Sequence, residues 1–105
     1  MKSELSDNIL KLLGSPVIIV ELSNTQLELI IELSKNEAKS LCQIYECPKL
    51  FEFVKYKLYL INARKTWISN ISKYDVSGLN ISFIYSILKN DEDNLYNILR
   101  EFKKF

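Results

Sequence analysis

LLGSPVIIVELSNTQL, residues 12–27, joins a helix stop, an extended apolar run and a helix start within sixteen residues. Gly14 is free to take the left-handed backbone that closes a helix, and Pro16, two residues on, cannot continue one. Val17, Ile18, Ile19 and Val20 are β-branched and favour extended backbone. Ser23 and Gln26 have capping-box spacing, in which the serine accepts from the amide three residues on and the glutamine reaches back. A helix on each side of a short extended segment near residues 16–22 predicts a mainly α protein.

The same periodicity extends in both directions. Before the elbow, Ser3 or Ser6 caps a short helix whose apolar face is Leu5, Ile9, Leu12 and Leu13. After it, Leu27, Ile30, Ile31, Ser34, Ala38, Leu41, Cys42 and Tyr45 form a stripe at three- and four-residue spacing, predicting a helix from about Thr25 to Glu46. Pro48 suits the first turn of a third helix, where its missing amide has no partner to lose, and that helix is expected from about Lys49 to Lys73. Asp75 to Asn80 reads as a loop with Gly78 as its pivot and Asn80 as a cap. In the last helix, Ile84, Ile87, Leu88, Leu95, Ile98, Leu99 and Phe102 keep one stripe across Asn90-Asp91-Glu92-Asp93-Asn94. That favours one continuous helix over a second one started by the acids. Residues 1–105 thus read as a single helical domain, a small bundle.

Composition excludes several classes. Half the chain is apolar (48%), with two glycines and two prolines, so disorder is not expected. No apolar run approaches the ~18 residues needed to span a bilayer, and the opening Met1-Lys2-Ser3-Glu4 does not begin a signal peptide; a soluble chain, off the membrane, is expected. Histidine is absent, removing the commonest general base and metal ligand, and Gly14 and Gly78 stand apart from any phosphate loop. The expectation is no enzyme, no cofactor and no metal. Cys42 and Cys47, the only cysteines, read as buried or half-buried thiols without a chemical role. Asp91, Glu92 and Asp93 point in different directions around a helix and read as solvated surface.

Charge is uneven despite a net of +1. Residues 21–46 carry five acids and two bases, a local −3, whereas residues 49–73 carry six bases and Glu52, a local +5. One reading lays the basic helix beside the acidic one; the other makes Lys55, Lys57, Arg64 and Lys65 a basic surface near DNA or an acidic neighbour. The third helix is apolar nearly all round, so it is either central in a bundle or sandwiched between subunits. On the second alternative Phe51, Tyr59 and Trp67 anchor contacts with other chains, and Val17 and Ile19 of the extended segment add pairing to a neighbour.

Leu13-Gly14-Ser15-Pro16-Val17, with Val20-Glu21-Leu22-Ser23 and Gln26-Leu27, resembles the opening of a family of small neck or head-to-tail connector proteins of tailed bacteriophages. These open with a short helix, a Leu-Gly-small-Pro-Val turn, a hydrophobic extended piece and a Ser/Thr-capped helix. YKLYLINARKTWISNISKY and SGLNISFIYSILKNDEDNLYNILREF, within Lys55 to Phe102, are similar to the family's long Ala- and Lys-containing helix, Leu-Asn loop and acidic final helix. The resemblance implies a structural virion protein, made in the host cytoplasm. It would form a homo-oligomeric ring and contact other connector or tail subunits close to DNA. The alternatives are a small helical nucleic-acid-binding regulator and a host-directed interaction protein.

Overall fold

The computed structural model describes residues 4–15, 20–72 and 78–103. Over these the chain is a helical bundle of α1 (Glu4–Leu13), α2 (Asn24–Ile44), a 3-10 turn (Pro48–Leu50), α3 (Phe51–Ile71) and α4 (Gly78–Lys103). Among the described residues there is no strand. Val17 and Ile19, and with them most of the expected extended segment, lie outside the described residues. Of the remainder, Val20 and Leu22 pack against the core, and the Leu22 amide donates back to the Val20 carbonyl at 3.0 Å.

Both punctuation marks of the opening stretch are present. Gly14 has φ 121°, and the amides of Gly14 and Ser15 donate to the carbonyls of Lys11 (3.1 Å) and Leu10 (3.0 Å). That crossed pair is a Schellman motif, which satisfies two of the carbonyls a helix end leaves open. At the start of α2, Gln26 N–H donates to Ser23 Oγ and Ser23 N–H to Gln26 Oε1, each at 3.1 Å, completing the capping box. The end of α2 repeats the Schellman pattern with a different residue. Glu46, at φ 54°, donates to Gln43 at 3.3 Å, and Cys47 donates to Cys42 at 3.0 Å. The spacing of the two cysteines is therefore that of the two positions this motif brings into apolar contact.

α3 is the central element, touching α1, α2 and α4. Most of its apolar residues are buried within one molecule, in line with the first of the two alternatives, while Phe53 and Tyr56 stay exposed. Around it lie two apolar clusters. One joins Ile9, Leu10 and Leu13 to Leu27, Ile30, Tyr59, Trp67 and Ile84. The other joins Ala38, Cys42 and Cys47 to Val54, Leu58, Ile61, Leu88, Leu95 and Leu99. Between them on α2 and α3 is a polar layer. Asn62 Nδ2 donates to Ser34 Oγ at 3.0 Å and to Glu37 Oε1 at 2.9 Å, with Ser34 fully buried.

Several boundaries and faces differ from expectation. α1 turns Ser6, Ile9, Leu10 and Leu13 inward and leaves Leu12 47% exposed, so its inner face includes Leu10 in place of Leu12. The small Ser6 is buried, while Leu5 only packs against the edge of the cluster. α3 proper begins at Phe51, because Pro48 starts a separate 3-10 turn with no side-chain cap, and Lys73 lies outside the described residues. Asn80 is not a cap, since α4 already begins at Gly78; the rest of that expected loop, 75–77, is outside the described residues. α4 does run unbroken through residues 90–94.

Candidate interaction surface

The residues expected to mark a partner interface are dispersed. Tyr59 and Trp67 are 3% and 5% exposed, inside the cluster closed by α1, so neither is available to another chain. The third helix has no single partner face; α1, α2 and α4 cover it from different sides, and of its large apolar residues Phe53 and Tyr56 stay exposed. Burial pushes the Tyr59 phenol above its ordinary range. Trp67 Nε1 has no hydrogen-bond partner among the described residues. Phe51 is half-buried against the second cluster, with the Lys55 ammonium 5.3 Å from its ring centre. Val17 and Ile19 lie outside the described residues.

The expected basic surface is largely engaged within the chain. Lys55 pairs with Glu52 at 2.9 Å, and that hydrogen bond holds its ammonium above the usual lysine range. Lys57 lies 5.9 Å from the ring centre of Phe53. Arg64 binds Asp91, and Lys65 lies 3.4 Å from Glu92. The basic helix does lie beside the acidic α2, but Arg64 and Lys65 find their acids on α4 and Lys55 finds its own on α3. The reason is visible in the spacing. Asp91 and Glu92 occupy the stripe between Leu88 and Leu95, so they face α3 and are half-buried, and the reading of a solvated acidic patch does not hold for them.

The remaining polar contacts join helix ends. Gln26 and Asn70 exchange amide bonds at 3.0 and 2.8 Å, and Asn70 Nδ2 also donates to the Glu21 carbonyl at 2.6 Å. One glutamine thus closes the cap of α2 and ties it to the end of α3. At the opposite end, Lys103 Nζ donates to the Ile44 carbonyl at 3.1 Å, a cation on the last turn of α2, where the helix dipole is negative. Both cysteines are buried and free, and burial, with Cys47 alongside, pushes the Cys42 thiol up to about 11. Among the described residues no group of three or more His, Cys, Asp or Glu is placed to hold a metal, and no helix is long and apolar enough to cross a membrane.

Exposed apolar surface includes Leu12 and Phe102 of the predicted stripes, and beyond them residues for which the periodicity gave no signal. Leu29 (65% exposed) and Leu33 (51%) stand on the outer face of α2, and Phe83 (65%) and Tyr85 (51%) near the start of α4. A groove between α1 and α3 is lined by Leu5, Asn8, Ile9, Lys11, Leu12 and Tyr56. A second, beside α2, is lined by Asn36, Glu37, Ser40, Leu41 and Tyr96. Leu29, Leu33, Phe83 and Tyr85 are legible in sequence only as departures from an already filled stripe, whereas Leu5, Ile9, Leu12 and Leu41 of the grooves lie on the predicted stripes. No protein-family model, curated protein or solved structure matches the chain.

Proposed function

We propose that this chain is a structural subunit that acts by packing against other proteins, and that its place is the head-to-tail connector of a tailed bacteriophage virion. The observation that supports packing is the exposed apolar set Leu29, Leu33, Phe83 and Tyr85, each more than half in water in the lone chain. Leaving large apolar side chains in water forgoes about 25 cal/mol per Å² of burial, which a partner surface recovers. The connector assignment rests on the resemblance of residues 13–27 and 55–102. Contact with neighbouring virion subunits runs through Phe83 and Tyr85 and, where the neighbour is a second copy, through Leu29 and Leu33, in place of Tyr59 and Trp67. A nucleic-acid role is disfavoured because Lys55, Arg64 and Lys65 already have carboxylate partners.

Quantitative mass spectrometry of purified particles tests the assignment, with a fixed copy number per particle expected. Phe83→Ser should reduce incorporation while leaving the melting temperature of the free chain nearly unchanged, since the side chain is 65% exposed. Particles free of the chain would overturn the connector reading.

A further inference from the structure

The outer face of α2 has a pattern that its own fold does not use. Leu29, Leu33, Asn36 and Ser40 follow one another at spacings of four, three and four, the seam of a helix that meets another helix, and all four are exposed. Glu28, Glu32, Lys35 and Lys39 each fall one residue before a seam position, so they share one flank of that seam. All four are exposed and none forms an ion pair with a described residue. Along the flank the sign changes once: two acids, then two bases.

We infer that this face of α2 seats the same face of a second copy of the chain, with the two helices antiparallel. A two-fold axis perpendicular to the pair keeps equivalent flanks on the same side and reverses their direction. Glu28 then faces Lys39 of the second copy and Glu32 faces Lys35, and the same two pairs recur by symmetry. The arrangement is self-consistent because both pairs are centred on one point, midway between residues 33 and 34. About that centre Leu33 meets Leu33 across the axis, and Leu29 enters the gap between Asn36 and Ser40. In a parallel pair the two-fold runs along the helices and puts equivalent flanks on opposite sides of the seam, so these acids and bases would not meet. The charge order therefore selects the antiparallel form, and exposed flank pairs make it sensitive to salt. The pairing does not depend on the connector reading: an isologous pair closes on itself and concerns the chain before any particle forms.

Two surface variants provide the test. Glu28→Lys with Glu32→Lys makes the flank all basic, and Lys35→Glu with Lys39→Glu makes it all acidic. Circular dichroism checks that both stay helical, and sedimentation equilibrium reads association of each alone and of their equimolar mixture. The wild-type chain should form dimers with concentration, less so at high salt. Each variant should self-associate at least tenfold more weakly, and the mixture should recover a one-to-one pair. A wild-type chain monomeric at millimolar concentration, variants that dimerise like wild type, or a mixture that stays monomeric would each overturn the proposal. Particles that lack the chain would count against the connector reading alone.

Discussion

Gly14 and Glu46 occupy the same position of the same motif, yet only one of them is a glycine. For an L-residue the left-handed backbone places Cβ against the following carbonyl, at about 1–2 kcal/mol. Glycine avoids that clash but loses more backbone freedom on folding, roughly 0.5–1 kcal/mol relative to alanine. Glu46 is exposed and has no ion pair with a described residue, so its side chain offers little to set against the clash. Its carboxylate also sits past the negative end of α2, where an acid is unfavourable by about 0.3 kcal/mol or more. Glu46→Gly should therefore stabilise the chain by about 0.5–1 kcal/mol, a rise of about 2–8 °C in melting temperature for a domain of this size. Thermal unfolding followed by circular dichroism measures it. Glu46→Gln isolates the charge, and Glu46→Ala keeps the Cβ while removing the rest. If Glu46→Gly melts at or below wild type, the backbone clash at φ 54° does not outweigh the entropy that glycine loses, and the expected gain is refuted.

The mirror change, Gly14→Val, should destabilise by at least roughly 1–2 kcal/mol in a urea titration, because φ 121° is less tolerant of a β-branched residue than the centre of the left-handed region. Asn62→Ala should cost about 1–3 kcal/mol in the same assay by removing the donor to buried Ser34; Asn62→Leu combined with Ser34→Ala should recover much of that loss. The Cys42 thiol has a folded-state value raised from 9.0 to about 11, so the stability that goes with its protonated form is complete below pH 9 and is lost as pH rises towards 11. A native chain at pH 8 should accordingly react with a maleimide far more slowly than the chain in urea; equal rates would contradict the burial of this pair.

Periodicity reveals much of the fold because α1 and α2 announce themselves twice, by stripe and by punctuation, and α4 once, by stripe. Leu27, Ile30, Ser34, Ala38 and Cys42 share the expected face of α2 and all are buried. The capping box of Ser23 and Gln26 is equally legible, being a local arrangement of fixed spacing. What cannot be read is which element covers which side. Tyr59 and Trp67 read as surplus apolar surface because a sequence does not say that α1, only ten residues long, folds back over α3. Likewise, acids at 91 and 92 look solvated until Arg64 and Lys65 are known to lie opposite them. The bond from Gln26 to Asn70 spans 44 residues, and no local signal encodes it.

The packing of α1 over Trp67 also makes the chain its own spectroscopic gauge. A helix of ten residues is too short to persist in water, so α1 is helical because it is docked. The single tryptophan lies in the cluster that α1 completes with Ile9, Leu10 and Leu13, whereas Val54, Leu58, Leu95 and Leu99 belong to the cluster that holds no described residue of α1. Indole emission consequently reports the seating of one short helix, while far-ultraviolet ellipticity is dominated by the three long ones. A denaturation curve in which the two signals separate would resolve release of α1 from melting of the bundle, and one in which they coincide would show the two half-cores to be a single cooperative unit.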